Sequence, residues 1–553
     1  MGKTKNILFI MYDQLRWDYL SCAGHPTLET PNFDRLAKMG VRFDRAYVQS
    51  PVCGASRMSF YTGRYCQSHG AQWNGYPLRV GELTLGDHLR EAGMECWLIG
   101  KTHMRADEKG MARLGLAPDS MIGARLAECG FDTYIRDDGL HAKGPDGWYY
   151  DRVSPYNEYL REQGYEAENA WHDFANSGVD EEGDVASGFL MQHAGKPANV
   201  REEDSETTWL TTQAIEFIET HDEKPWCAHV SYIKPHWPYV VPAPYHNMYG
   251  HNHIKPVVRS DDEWRDMHPV MKAFADGLIS KAFHRDEVRE AVIPAYMGLI
   301  KQCDDQLGRL LDHLEDTGRI DETMIVLTSD HGDYLGDHWK GEKDLFHECS
   351  VRVPMIVYDP DPRADETRGT VSDALVESID CAATFVAAAG GEVPDHILEG
   401  RSLLQLLHGE TPGDWRDYVI SEYDYGMMPI AAALDVAPKD ARLFMVADHR
   451  WKFMHAEGGF RPMLFDMEND PDELDDLCRD NRAPAEVIEM MYDRLFEWAR
   501  RVSQRITMSD ADIIAKRGRS RRRGIVLGAY DMDDVDPEIM STYMGKAGAR
   551  PPD

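Results

Sequence analysis

The sequence predicts an α/β fold: one large mixed, mostly parallel sheet flanked by helices, then a smaller C-terminal antiparallel sheet with one helix. Three observations carry this. Apolar runs at 6–12, 96–99, 226–232, 324–328 and 353–358 are continuous rather than alternating, as in strands buried on both faces. Amphipathic stretches at 83–92, 207–220 and 291–316 stand between the runs, which suits helices packed on a sheet. From Arg442 the pattern shortens to segments at 443–446, 451–454 and 463–465, followed by a helix over 484–501, as expected of a small antiparallel sheet with a covering helix.

Taken in order, the run at 6–12 delivers Asp13-Gln14 to its carboxyl end, where open α/β sheets place ligands. Asp13 alone reads equally well as a helix N-cap. A short helix from Thr30 breaks at Gly40, and 41–43 forms a brief edge strand leading into Ser50–Arg64. There Cys53 stands four residues ahead of Arg57 where a helical pattern begins, so thiol and guanidinium lie one turn apart on one side. By itself, Cys53 could also be a buried free thiol. Asn74-Gly75 marks a turn, and the helix over 83–92 is closed by Gly93.

The strand at 96–99 ends in Gly100-Lys101-Thr102-His103, which is no P-loop, because Glu95 stands where the first glycine is required. Residues 104–210, rich in Gly, Asp, Glu, Tyr and Trp, read as an irregular insertion over the site mouth that could select the organic part of a substrate. The strand at 226–232 leads to Lys234-Pro235-His236-Trp237-Pro238, where a histidine between prolines, taken alone, reads as a surface residue. The helix over 291–316 is ended by Gly318. The strand at 324–328 then hands over to Asp330-His331-Gly332, two potential ligands with a glycine for the tight turn, followed by Gly341-Glu342-Lys343. A helix from Ser378 to Gly390 precedes Glu399-Gly400-Arg401-Ser402-Leu403-Leu404.

The totals bound the chemistry. With 553 residues and 42% hydrophobic content, the chain can bury a sizeable core. Sixty basic against 95 acidic residues give a net charge of −35, which argues against nucleic acid or an anionic membrane as a partner, so an anionic substrate needs a local positive pocket. The ten cysteines are scattered with no C-x-x-C, and no signal or membrane segment is legible, which predicts a cytoplasmic protein. A basic run over 516–523 reads as an arm for a neighbouring subunit, with nucleic acid as the alternative.

The pattern C-x-A-S-R followed by T-G-R at Cys53–Arg64 resembles the sulfatase signature, and G-K-x-H at 100–103, the Lys/Pro/His loop at 234–238 and E-G-R-S-L-L at 399–404 resemble further sulfatase elements in the same order. The signature usually has Pro where Ala55 stands. The resemblance covers most of 6–480, with the insertion and the tail unmatched, and implies an alkaline-phosphatase-like fold. Domains are expected at 1–415 and 416–502, and the extension at 503–553 is read from its basic run as an oligomerisation arm. The resemblance also implies that a formylglycine-generating enzyme converts Cys53 to formylglycine, whose hydrate is the nucleophile. Asp13, Gln14, Asp330, His331 and residue 53 would hold one divalent metal ion, Ca or Mn with Zn as a third candidate. Arg57, Lys101, His103, His236 and Lys343 would be catalytic, while Asn74 and Thr102 would contact substrate.

The expected function is hydrolysis of sulfate monoesters, aryl sulfates first, by a dimer or tetramer. Most sulfatases carry Asp-Asp and Asp-Asn where this chain has Asp13-Gln14 and Asp330-His331, the form found in phosphonate monoester hydrolases and choline-sulfatase-like enzymes. Hydrolysis of phosphonate monoesters or phosphodiesters is therefore the alternative, although Lys101 and His103 are of the sulfatase type. A non-catalytic metal-binding scaffold is a third reading.

Overall fold

The structure, a computed structural model, describes residues 4–117, 120–139, 154–501 and 507–517, with isolated positions beyond. Residues 1–393 and 398–501 form one unit, and 394–397 with 502–553 a second, which contains the helix Asp510–Lys516. Beyond Arg517 the predicted basic run lies outside the described residues.

The large sheet has eight strands: β1 (Asn6–Asp13), β2 (Val41–Tyr47), β3 (Glu95–Gly100), β4 (Asp132–Arg136), β7 (Trp226–Pro235), β8 (Thr323–Ser329), β9 (Met355–Tyr358) and β10 (Val371–Glu377). A short ribbon supplies β5 (Ser177–Val179) and β6 (Val185–Ser187). The spatial order is β10-β2-β9-β8-β1-β7-β3-β4, parallel except where β9 meets β2 and β8. β1 is central, and all eight of its residues are buried. Ile7, Phe9 and Met11 enter one apolar cluster, while Leu8, Ile10 and Tyr12 enter another that includes the helix Asp286–Asp316. Burying each large apolar side chain contributes about 1.5–3 kcal/mol, which accounts for a run with no polar face.

Register places the site. Tyr12 pairs with Ser329 on one side and Tyr232 on the other, so the residues following all three strands emerge at one level. Two expectations need correcting. The strand at 41–47 is internal rather than an edge, because β10 pairs outside it. Part of the expected irregular insertion is β4, the edge strand at the end opposite β10, whose sequence Asp-Thr-Tyr-Ile-Arg is too short and polar to show an apolar run.

The smaller antiparallel sheet is β11 (Val419–Asp424), β12 (Arg442–Ala447), β13 (Trp451–Ala456) and β14 (Met463–Asp466), joined by the helix Ala485–Ala499. It is tied to the large sheet through buried polar groups. Glu377 accepts from the Ile420 N–H at 2.8 Å and from the Tyr65 hydroxyl at 2.7 Å. Arg416 forks onto Asp380, 2.6 Å from its Oδ1, and lies 3.4 Å from Glu377. Arg416→Ala is expected to lower stability by about 3–5 kcal/mol, because two buried carboxylates lose their counter-charge; chemical denaturation would measure it. No helix among the described residues is long and apolar enough to cross a membrane.

Candidate active site

The helix Cys53–Thr62 is buried throughout its ten residues. Its N-cap, Val52, has no side-chain acceptor to offer, and Asn74 supplies one from outside: its Oδ1 accepts the Gly54 N–H at 2.7 Å. A Cβ at position 54 would stand 2.8 Å from that oxygen, so the approach requires glycine. Cys53 therefore occupies the first position of a capped helix, where the backbone dipole favours negative charge.

One turn on, the fully buried Arg57 binds four groups: Asp330 Oδ2 at 2.8 Å, Asp13 Oδ2 at 3.2 Å, Ser231 Oγ at 2.7 Å and the Lys101 carbonyl at 3.1 Å. Lys101 Nζ donates to the same Asp13 oxygen. Cys53 Sγ lies 3.1 Å from His331 Nε2, 3.1 Å from Lys343 Nζ and 3.8 Å from Asp13 Oδ1. Lys343 Nζ is also 3.3 Å from His236 Nε2 and 3.5 Å from Gln14 Oε1. His236 turns its Nδ1 to the Trp237 carbonyl at 2.7 Å. His103 lies near enough to Cys53 to favour its charged form, and its Nδ1 is buried without a hydrogen-bond partner. The backbone N–H groups of Thr102 and His103 both donate to Asp138 Oδ1, at 3.0 and 2.7 Å, and the Thr102 hydroxyl is buried without a partner.

Several of these residues depart from ordinary backbone geometry. Gln14 has φ 66° and His103 φ 54°. The loop carrying Lys343 holds five more non-glycine residues with positive φ, Leu335, His338, Trp339, Glu342 and Asp344. Each costs on the order of 1–3 kcal/mol, and such strain concentrates where side chains must be aimed.

The local field is mixed. Burial alone would raise the Cys53 thiol, yet Lys343, His331 and Lys101 hold it well below the usual thiol range. Burial and Cys53 push Asp13 up, but Lys101, His236 and Arg57 together keep its carboxyl well below the usual carboxylate range. Burial opposes charge on His331, and the neighbouring Asp330 and Cys53 overcome it, raising the imidazole to about 9. The ligand atoms of Asp13, Cys53, Asp330 and His331 all lie within 4.8 Å of one another and are buried. Such a group draws positive charge to itself, and it could hold a divalent cation.

The residues singled out from the sequence thus converge, with one difference in kind: Asn74 is seen serving the cysteine helix. Other residues of the site carry no such motif. Asp333 accepts from Tyr239 at 2.6 Å and from the Gln14 amide N–H, which turns Gln14 Oε1 toward Lys343. Ser231 holds Arg57, and Ser329 ties the ends of β1 and β8 by donating to the Tyr12 carbonyl at 2.9 Å. Asp333, three residues beyond Asp330, was the one with a sequence signal, a second carboxylate in the same turn.

The chain is similar to known proteins over most of its length. The model of the family "Sulfatase" matches residues 5–391, and that of "N-sulphoglucosamine sulphohydrolase, C-terminal" matches 336–501. A multifunctional alkaline phosphatase superfamily protein, PehA of Trinickia caryophylli, is 30% identical over 86% of this chain and 91% of its own. An arylsulfatase of Clostridium perfringens is 30% identical over 85% of this chain and 90% of its own. The structure of a phosphonate monoester hydrolase from Silicibacter pomeroyi superposes with a TM-score of 0.79 at 28% identity, covering 91% of this chain and 97% of the other. With the sulfatase pattern spanning most of the large sheet and relatives matching nearly end to end, this chain belongs to the sulfatase family.

Proposed function

We propose that this protein hydrolyses sulfate monoesters, aryl sulfates first, with Cys53 matured to formylglycine. The observation that carries the reading is the position of Cys53 Sγ, 3.1 Å from both His331 Nε2 and Lys343 Nζ and within the four-donor group. The hydrated aldehyde would supply a nucleophilic oxygen and a second hydroxyl through which sulfate can be expelled. Asp13, Gln14, Asp330, His331 and residue 53 would hold a divalent cation, Ca or Mn before Zn, which when bound supplies Lewis-acid charge.

The chain's own side chains then divide the work. Arg57 and Lys101 balance the two carboxylates and fix residue 53 between them. Lys101 and Lys343 face the non-bridging oxygens of the ester. His236 and Lys343, 3.3 Å apart, form the donor for the departing oxygen. His103 takes the proton of the second hydroxyl. Thr102, with its free buried hydroxyl, and Asn74 complete the substrate contacts in this reading.

Domains at 1–415 and 416–502, assembly as a homo-oligomer and maturation by a formylglycine-generating enzyme belong to the same proposal. Ten cysteines, all unpaired, support a reducing cytoplasm.

The second reading is hydrolysis of phosphonate monoesters or phosphodiesters, favoured by the likeness to the Silicibacter pomeroyi enzyme. The deciding experiment measures kcat/KM for an aryl sulfate and an aryl phosphonate on one preparation, with mass spectrometry of the Cys53 peptide. Aldehyde at position 53 and a ratio favouring sulfate are expected. A ratio strongly favouring phosphonate selects the second reading, and an intact thiol without turnover after expression with the maturing enzyme selects a scaffold.

A supporting prediction concerns Asp333. Asp333→Ala leaves the Gln14 amide only its 3.2 Å bond to the Tyr239 hydroxyl, which itself loses its carboxylate partner, and is expected to weaken metal binding about 10–100-fold, the scale of residues that orient ligands. Competition with a metal-binding dye would read this directly.

A further inference from the structure

We infer that Lys234 is a positioning residue that acts through His236, its ammonium fixing the turn that aims His236 at the departing oxygen. The inference rests on the role proposed above for His236.

Lys234 lies one residue before the end of β7 and is 8% exposed. Its Nζ donates to the His236 carbonyl at 3.2 Å and to the Pro238 carbonyl at 2.9 Å, bridging the turn. The His236 N–H donates to the Ile233 carbonyl at 3.1 Å, and His236 Nδ1 meets the Trp237 carbonyl at 2.7 Å. Backbone and ring are therefore both held, and Nε2 is left toward Lys343, 3.3 Å away, and Asp13 Oδ1, 4.0 Å away. A quarter-turn of the ring would remove Nε2 from both.

What makes Lys234 unusual is its lack of a carboxylate in contact: no ion pair of Lys234 is found among the described residues. Glu206 lines the same cavity and has an oxygen with no hydrogen-bond partner. Burial lowers Lys234 to about 8 and raises Glu206 to about 8. Burying an ammonium with carbonyls as its only direct contacts, and Glu206 acting on it only across the cavity, costs several kcal/mol that an apolar side chain of similar length would avoid. Stability does not explain the lysine, whereas the geometry of the turn does, and local rules are broken at functional sites for such reasons.

The leaving-group dependence of the rate tests this. Wild type, Lys234→Met, His236→Ala and the double variant would be compared on a series of aryl esters from 4-nitrophenyl to unsubstituted phenyl, as sulfates or, if they turn over faster, phosphonates. A misaimed acid matters most for poor leaving groups, so Lys234→Met is expected to lose about 3-fold in kcat/KM on the nitrophenyl ester and about 30-fold on the phenyl ester. The double variant should fall within about 2-fold of His236→Ala alone, the result required of a lysine that acts through His236 rather than through its charge on Asp13 or Lys101. Equal losses on every ester, or losses that multiply in the double variant, overturn the inference. A flat leaving-group dependence in His236→Ala overturns instead the reading of His236 as the acid. Should Lys234→Met fail to fold, Lys234→Gln, which is neutral and one bond shorter and so cannot bridge both carbonyls as the ammonium does, is expected to show the same larger loss on the phenyl ester.

Discussion

Cys53→Ala is expected to abolish ester hydrolysis, a loss of at least about 10⁴-fold, while the protein remains folded. Every neighbour of Sγ explains why. His331 and Lys343 each stand 3.1 Å from it, Asp13 Oδ1 stands 3.8 Å away, and the side chain sits at the first position of a capped helix. No other described side chain occupies that meeting point, so an attacking atom has no substitute there. The thiol is small, and its loss costs packing on the order of 1 kcal/mol, so denaturation midpoints should hardly move. Cys53→Ser separates attack from release: it keeps one hydroxyl near the same neighbours and lacks the second through which sulfate can be expelled. The expected result is a single event followed by a stall, visible as a stable mass gain of one sulfuryl group on the peptide containing position 53. Turnover by Cys53→Ala above about a hundredth of wild type would place the nucleophile elsewhere.

The architecture was legible where burial is two-sided. β1, β7 and β8 have no polar face, and their apolar runs mark them and the loops they deliver. β4 and β10 escaped because their exposure pattern is that of strands with a solvent side, and β11 because it opens the smaller sheet ahead of the hairpins that reveal it. The helix expected over 291–316 begins at Asp286, with Asp286 and Glu287 in the first turn, favourable for the dipole but outside the apolar pattern used to find it. At the site the same division holds. Asp13, Cys53, Lys101, Asp330 and His331 follow apolar strands or open a helix, so chain order pointed to them. Ser231 holds Arg57, Asp333 holds Gln14 and Tyr239 holds Asp333, across 94 to 319 residues of chain, and although Asp333 follows Asp330 closely, no local pattern records the pairings themselves.

Arg57→Met should be costly to stability and rate together, and the two losses should separate in Arg57→Lys. Arg57 is fully buried between two carboxylates, 2.8 Å from Asp330 and 3.2 Å from Asp13, and it also satisfies Ser231 and the Lys101 carbonyl. Methionine matches its length but not its charge, leaving Asp13 Oδ2 with only Lys101 in direct contact and Asp330 without a guanidinium. Breaking a buried pair in this way costs about 3–5 kcal/mol, readable as a shift in the denaturation midpoint. Lysine restores one charge, so part of that stability should return. It cannot restore the fork: an ammonium is a point donor and does not span both carboxylates, Ser231 and the carbonyl at once. Positions set by the fork stay lost, and with them about 10²–10³-fold in kcat for both variants, as when a preorganised charge is removed. The comparison needs one aryl ester and one denaturant series. If Arg57→Met keeps the wild-type midpoint, Asp13 and Asp330 do not carry the paired charges on which the site is built; if Arg57→Lys keeps the wild-type rate, charge alone, rather than the planar geometry of the guanidinium, is what the site requires.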